Sequence, residues 1–195
     1  MYKTIVADPA WKTTTGGSKH LNPSAKYPVQ KREEVLATIQ NWFIQYPPAE
    51  EAHLYMWCLN TFSSGKHRGP IDAIWVCEQL GFKPITQILW VKNDSNPTPY
   101  GQRASEVCIF ATKYRKGKGG EVMYKPTANQ ENVVGPGLSS SIDWFLAERR
   151  QHSRKPDEFY EYVEKRSAGP YLELYARTTK SGWTAAGNQP GTWTV

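Results

Sequence analysis

The sequence lacks the marks of a membrane, secreted or metal-dependent protein. Its three cysteines are far apart in apolar stretches, which predicts buried thiols in a reducing cytoplasm rather than disulfides. No apolar run approaches the ~18 residues of a membrane-spanning helix, and the N-terminal residues do not resemble a signal peptide. Four scattered histidines and the absence of a Cys/His cluster predict no metal site. Neither a G-x-G-x-x-G fingerprint nor a Walker loop is present.

The composition is that of one globular, basic domain. Of its 195 residues, 39% are hydrophobic and 22% are charged, so we expect a single domain over residues 1–195. The net charge of +6 favours a polyanionic partner, nucleic acid first, although solubility alone would also explain it. Eight Trp and eleven Tyr suit a site that stacks flat rings.

Short apolar runs alternate with helical patterns along the chain. The strands are predicted at 2–8, 52–59, 84–91, 106–112, 171–177 and 183–186. The helices are predicted at 31–45, 69–80 and 157–166. This order predicts an α/β three-layer sandwich with a mostly parallel sheet, which binds ligands beyond the carboxyl ends of its strands. Residues 113–141 are predicted to be a loop or mobile insertion, with a short hairpin at 122–124.

A tetrapeptide that could take part in a reaction follows the first predicted strand: Asp8-Pro9-Ala10-Trp11. The proline stiffens the turn, so one carboxylate, one backbone carbonyl and one flat ring are held in a small volume. An amino group with two N–H donors could be held by the first two while its ring stacks on the third. A capped turn with a core Trp is the alternative interpretation.

Motifs far downstream favour the functional interpretation. The chain contains Lys155-Pro156-Asp157-Glu158, then Leu172-Glu173-Leu174-Tyr175-Ala176-Arg177, then Gly182-Trp183 and Gly187-Asn188-Gln189. With the tetrapeptide, and with the weaker runs at 54–57 and 88–92, this order resembles the MT-A family of adenine-N6 methyltransferases. The resemblance spans residues 2 to 189. It implies a Rossmann-like methyltransferase fold with permuted motif order, in which the catalytic motif comes first and the cofactor strand last.

The resemblance also implies S-adenosylmethionine as cofactor and a role for each matched residue. It assigns catalysis to Asp8, Pro9 and Trp11, as the acid, the carbonyl that helps hold the amino group and the stacking ring. It assigns the cofactor contacts to Asp8, Lys155, Glu173, Arg177, Asn188 and Gln189. Tyr27 matches a family tyrosine in the loop after the tetrapeptide, and such a loop could close over the target base.

Basic residues predict the contacts to nucleic acid. Lys113, Arg115 and Lys116 lie in one cluster that could follow a phosphate backbone, although a solvated face is the other interpretation. The target amino group is inaccessible inside a duplex, so the substrate must be single-stranded or the base flipped out. No target-recognition domain is evident, and a homodimer or a partner subunit could supply specificity.

Two departures from the family pattern leave alternatives open. Ala10 replaces the second proline of the tetrapeptide, which makes the turn less stiff. Thr178, Thr179 and Lys180 stand where some relatives carry histidine and asparagine. We expect a DNA adenine methyltransferase, by analogy within the family. The alternatives are the same reaction on RNA and an inactive pseudo-methyltransferase that binds nucleic acid or supports a partner.

Overall fold

The described part of the chain forms seven strands and three helices. The computed structural model describes residues 1–12, 29–60, 69–98, 101–113, 143–148 and 154–187. The strands are β1 (Tyr2–Ala7), β2 (Pro48–Cys58), β3 (Lys83–Thr98), β4 (Gly101–Lys113), β5 (Trp144–Leu146), β6 (Tyr171–Leu174) and β7 (Trp183–Ala186). The helices are α1 (Arg32–Gln45), α2 (Gly69–Gln79) and α3 (Asp157–Arg166).

The strands form one sheet in the order β5-β3-β4-β2-β1-β6-β7. β4 pairs antiparallel with β2 and β3, whereas the other pairings are parallel. Six of the described strands therefore run in one direction, which confirms the prediction of a mostly parallel sheet. We call the edge where Ala7, Cys58 and Leu174 end their strands the carboxyl edge. The amino edge is the opposite one, where Tyr2 and Tyr171 begin theirs.

Helices cover both faces of the sheet, as expected for a three-layer sandwich. Val35 and Ile39 of α1 and Val76 of α2 are buried in the cluster that covers one face. Phe159 and Val163 of α3 are buried in a second cluster on the other face. Burial on both faces explains why the strands are nearly continuous apolar runs in the sequence.

The two-residue period of a strand decides which side chains point toward α3. Nine strand residues share the cluster beneath α3: Val6, Tyr55, Trp57, Ile88, Trp90, Cys108, Phe110, Phe145 and Trp183. Several of their immediate neighbours, such as Ile5, Met56 and Ile109, belong to the other cluster. Polar residues in register with the first set therefore collect on the α3 face.

The predicted element order is observed, with differences at several ends. The bounds of α3 are those predicted, and α1 and α2 each differ by one residue at one end. β3 and β4 extend further toward each other than their apolar cores suggested, and the short β5 was not predicted. Strand β6 ends at Leu174, not at Arg177, because Tyr175 has a φ of 62° and turns the chain out of the sheet.

Other predictions concern the cysteines, the membrane and the insertion. All three cysteines are buried free thiols, as predicted. Among the described residues, no helix is long and apolar enough to cross a membrane. Lys113 is the last residue of β4, so the predicted insertion cannot begin before the next residue. Residues 114–141, with the hairpin at 122–124, lie outside the described residues. The single domain over 1–195 stays a prediction.

Candidate active site at the carboxyl edge

Asp8 lies directly beyond β1 at the carboxyl edge. Pro9 follows it and has no N–H to continue the ladder, so the strand ends there. An Asp8 Oδ1 lies 3.0 Å from Nζ of Lys155, two residues before α3 begins. Pro156 separates Lys155 from the helix and fixes the chain at its entry. The first predicted catalytic residue and a predicted cofactor residue thus form one ion pair.

Lys155 is held between two carboxylates. Besides Asp8, its Nζ donates to Oε2 of Glu106 at 3.1 Å, and it lies 4.7 Å from the ring centroid of Trp57. Burial alone would lower the pKa of Lys155, but the charges of Asp8 and Glu106 raise it above its usual range. The ammonium therefore stays charged in a buried position, where it fixes the orientation of both carboxylates.

Glu106 and Lys92 extend this network across β4 and β3. Nζ of Lys92 donates to Oε1 of Glu106 at 2.6 Å and lies 4.5 Å from the ring centroid of Trp90. Burial opposes ionisation of Glu106, but the charges of Lys155 and Lys92 lower its pKa to about 2. The sequence analysis did not select either residue for the site. The available signal was strand alternation, which puts Glu106 in register with the buried Cys108.

Glu173 lies near the end of β6, beside Val6 of β1. Its side chain points toward α3, where Oε1 accepts a 2.7 Å hydrogen bond from the hydroxyl of Tyr160. Burial raises the pKa of Glu173 to about 7, and the charge of Asp8 adds to this rise while the Tyr160 bond opposes it. A buried carboxyl that titrates near neutral pH is typical of a functional site. Tyr160 was not selected from the sequence.

The tetrapeptide turn is compact, and its Trp is buried. Trp11 N donates to the Pro9 carbonyl at 3.0 Å, which leaves that oxygen one further lone pair for an external donor. Trp11 Nε1 donates to the Trp57 carbonyl at 2.8 Å, and only 8% of the Trp11 surface is exposed. These contacts fit the core Trp of the alternative interpretation. The stacking role of Trp11 stays a prediction.

Of the other predicted site residues, two are described and lie at opposite edges of the sheet, and five lie outside the described residues. Arg177 lies three residues beyond β6 at the carboxyl edge, half-buried, and its charge lowers the pKa of Glu173, against the larger effect of burial. Lys113 lies at the amino edge, because β4 is antiparallel, roughly 17 Å along the strand from the row of Trp57. It is therefore far from Asp8. Outside the described residues lie Tyr27, Arg115, Lys116, Asn188 and Gln189.

The polar groups at the carboxyl edge suit a ligand that joins an amino acid to a nucleoside better than they suit a metal ion. No group of three or more His, Cys, Asp or Glu in the described ranges could hold a metal. Lys155 offers a cation to a carboxylate, and Glu173 offers a buried acceptor to hydroxyl groups. Trp57 Nε1, beneath Lys155, is buried without a hydrogen-bond partner among the described residues, as expected where a polar group binds.

Comparison with known proteins gives the class and then the family. The architecture is the Rossmann-like methyltransferase fold, with the acidic tetrapeptide after the first strand and the Glu173 strand near the end of the described chain. Residues 2–189 match the model of the MT-A70 family, and the chain belongs to that family.

One curated relative shows how far this likeness reaches. A protein of Medicago truncatula, provisionally named an MT-A70-like N(6)-adenosine-methyltransferase, is 32% identical over 121 residues. The match covers 57% of this chain but only 17% of the plant protein. The chain thus spans a small part of that relative's length, and family membership rests mainly on the match over residues 2–189.

Proposed function

We propose that this protein transfers a methyl group from S-adenosylmethionine to the N6 amino group of adenine in DNA. The observation that carries the proposal is the Asp8–Lys155 pair at the carboxyl edge, on the same side of the sheet as the buried Glu173. Asp8 and the Pro9 carbonyl are two acceptors next to each other on a short turn, as an amino group with two N–H donors requires. MT-A70 membership supports this assignment.

The cofactor would lie along the carboxyl edge, beyond β1 and β6. When bound, it supplies an activated methyl group on a sulfonium. Glu173 would accept hydrogen bonds from its ribose hydroxyls, and Lys155 and Arg177 would face its carboxylate end. Asn188 and Gln189 are assigned further contacts by the family resemblance alone.

Asp8 and Pro9 would act on the adenine amino group. Its lone pair is delocalised into the ring, and hydrogen bonds from both N–H groups to Asp8 and the Pro9 carbonyl favour a more nucleophilic nitrogen. The bond from sulfur to the methyl carbon would break as the bond to nitrogen forms, and the methylated nitrogen would then release one proton to water. Because Lys155 fixes Asp8 from one side, the carboxylate mainly positions the amino group and stabilises developing charge.

RNA is the second candidate substrate, favoured by the plant relative, whose name describes an N(6)-adenosine-methyltransferase. The preference for DNA is an analogy within the family. Tyr27, Lys113, Arg115 and Lys116 are proposed to contact the polymer, with sequence specificity supplied by dimerisation or a partner subunit. An inactive, binding-only protein is disfavoured because Asp8, Lys155 and Glu173 are all in place.

A methylation assay tests the proposal. The protein is incubated with labelled S-adenosylmethionine and matched DNA and RNA oligonucleotides, single- and double-stranded, and the nucleosides are then separated. We expect N6-methyladenine in the DNA arms, most in single-stranded DNA. Label only in RNA would overturn the choice of polymer. Cofactor binding with no label in any arm would favour the binding-only alternative.

Trp11→Ala separates the two roles of this residue. Because the ring is buried, we expect the free energy of unfolding to fall by about 3 kcal/mol. Denaturant titration measures this loss. A stacking role predicts in addition a rise in the KM for the oligonucleotide of about tenfold, since base stacking contributes ~1–3 kcal/mol. An unchanged KM in the folded variant would leave Trp11 as a core residue.

A further inference from the structure

We propose that Gln30 is a positioning residue, which fastens the catalytic turn to the end of the cofactor strand and replaces the stiffness lost at Ala10. Gln30 lies outside every motif of the family resemblance and directly precedes Lys31, the N-cap residue of α1. Four described hydrogen bonds join its backbone and side chain to three parts of the fold. The inference rests on the proposed function only for its effect on catalysis.

The backbone of Gln30 holds the tetrapeptide turn. Gln30 N donates to the carbonyl of Ala10 at 2.8 Å, and Lys12 N donates to the carbonyl of Gln30 at 2.7 Å. Together they form an isolated parallel bridge between Trp11 and Gln30. Ala10, which replaces the second proline, has a less restricted φ than a proline would have. Its position is instead held by hydrogen bonds to a neighbouring segment.

The side chain of Gln30 extends the link to β6. Its Oε1 accepts a 2.8 Å hydrogen bond from the hydroxyl of Tyr175. Tyr175 follows β6 directly, its φ of 62° turns the chain there, and its ring packs edge-on against Trp42 at 4.8 Å. Burial raises the pKa of Tyr175, so its hydroxyl remains a donor at neutral pH. The turn after β1, which carries Asp8, and the turn after β6, the strand of Glu173, are thus connected through one residue, by its backbone on one side and its side chain on the other.

The hydrogen-bond directions around the amide are consistent with each other. Gln30 Nε2 donates to Oγ1 of Thr38 at 2.8 Å, and that hydroxyl donates in turn to the carbonyl of Glu34 at 2.8 Å. Because the only Thr38 proton is used there, Thr38 accepts from Gln30, and Oε1 is left to face Tyr175. Lys31 N donates to the Glu34 side chain at 2.7 Å, which fixes the chain between Gln30 and the helix. The nitrogen and the oxygen of the amide thus each have a defined partner.

The consequence concerns the placement of Asp8 and the Pro9 carbonyl. A small displacement of two acceptors that must meet one amino group lowers the rate of transfer, while cofactor contacts on other elements are unaffected. We therefore expect loss of the Gln30 side-chain bonds to lower kcat and to leave the dissociation constant of the cofactor nearly unchanged. A residue needed only for folding would not separate these two quantities.

The test compares Gln30→Met with Gln40→Met, a matched change at an exposed position of α1. Methionine keeps the length of the side chain and removes both hydrogen bonds. In Gln30→Met we expect kcat to fall about tenfold and cofactor affinity to stay within about twofold. Gln40→Met should match the wild type. Adding Ala10→Pro to Gln30→Met should recover most of the lost kcat, because the proline restricts the same turn.

Hydrogen exchange gives a readout that does not depend on activity. The amides of Trp11 and Lys12, which donate to Pro9 and Gln30, should exchange about tenfold faster in Gln30→Met than in Gln40→Met. Tyr175→Phe removes only the hydroxyl that donates to Gln30, and it should also speed exchange of the Trp11 and Lys12 amides. This variant replaces Gln30→Met in the test if Gln30→Met fails to fold. Unchanged exchange would overturn the inference, as would a loss of kcat that Ala10→Pro does not reverse. If the wild-type protein methylates no polymer, the proposed function fails, and exchange still decides the role of Gln30.

Discussion

The two ends of the α3 face of the sheet differ sharply. At the carboxyl edge, the row of Asp8, Lys155, Glu106 and Lys92 carries alternating charges joined by contacts of 2.6 to 3.1 Å. At the amino edge, the same face carries aromatic rings and hydroxyl groups. There a cavity of about 290 Å³ is lined partly by Tyr55, Ile88, Phe110, Tyr162 and Arg166.

The polar groups of the amino edge serve the fold. The Ser167 hydroxyl, directly after α3, lies 2.6 Å from Nδ1 of His53 and 2.7 Å from the Tyr55 hydroxyl. These neutral bonds link the end of the helix to the middle of the sheet. The charged network at the other end instead surrounds the proposed reacting group. One pattern of alternating strand residues thus yields neutral hydrogen bonds at one edge of the sheet and a charged network at the other.

Removing the Asp8 carboxylate should have the largest effect on activity and is the strongest test of the difference between the two edges. Asp8→Ala takes away the proposed acceptor of the amino group, and we expect kcat to fall by about 10³-fold. Cofactor affinity should change by no more than a few fold, since Glu173 and Arg177 remain. Both are measured with labelled S-adenosylmethionine. Full activity in the folded variant would refute the assignment of the carboxyl edge as the active site.

Glu173→Gln tests the cofactor end of the same edge. Loss of a charged acceptor should weaken cofactor binding about tenfold to a hundredfold at pH 8. Because the pKa of Glu173 is raised to about 7, its carboxylate forms as pH rises, so wild-type affinity should increase through pH 7. The variant should lose this dependence. Calorimetric titrations between pH 6 and 8 measure it, and a pH-independent wild type would contradict the role.

Folding stability should show the opposite sign for Glu173. Its folded pKa lies above that of an ordinary carboxyl group, so its contribution is greatest below pH 4.5 and is lost as pH rises toward about 7. Denaturant unfolding of the wild type and Glu173→Gln over this range provides the check. Ligand binding and folding would then respond to pH in opposite directions at one residue.

Glu106→Gln should have a smaller effect on catalysis, about tenfold in kcat, because Lys155 keeps Asp8 as a partner. The free energy of unfolding should fall by about 2 kcal/mol, as for a lost charged hydrogen bond. The pKa of Glu106 is lowered to about 2, so its contribution is present above pH 4.5 and is lost as pH falls toward 2. Acid unfolding curves of the wild type and of Glu106→Gln measure this pH-dependent contribution to stability. Coincident curves would show that Glu106 makes no such contribution.

Ser167→Ala should have the smallest effect on the reaction. The change removes the hydroxyl shared by His53 and Tyr55, which should lower the free energy of unfolding by about 1–2 kcal/mol. Methyl transfer should stay within twofold of the wild type. A loss of activity without a loss of stability would show that the amino edge takes part in the reaction, and the contrast between the two edges would fail.

The sequence predicted the elements whose pattern is local. The helix at 157–166 has a proline before it and acidic residues in its first turn, and its bounds were correct. β5 has three residues, too few for a pattern. The strand predicted at 171–177 is too long, because the residue types in Leu174-Tyr175-Ala176 do not predict a positive φ at Tyr175. The contacts of Tyr175 in this conformation, with the Trp42 ring and the Gln30 side chain, come from segments distant in the sequence.

The arrangement of charged residues at the carboxyl edge could be predicted only in part, for the same reason. Asp8, Lys155 and Glu173 belong to recognisable motifs, and the structure places them at one edge. Glu106 and Lys92 join them only because β4 runs antiparallel between β2 and β3, which sets a register that no short stretch of sequence encodes. The Gln30 link depends on a residue 145 positions away, Tyr175. Contacts of this range follow from the assembled sheet.

The antiparallel strand has a consequence for how members of this fold can diversify. β3 and β4 run on past the Lys92–Glu106 pair and meet at Thr98 and Gly101, so they form a hairpin beyond the carboxyl edge. The pairs on the sheet side of this hairpin, such as Trp90 with Glu106, set the register of the charged network, and the register shifts between Val91 and Asn96. Changes in strand length beyond that shift should therefore leave the charged network in place, which makes this hairpin a position where members of the fold can differ.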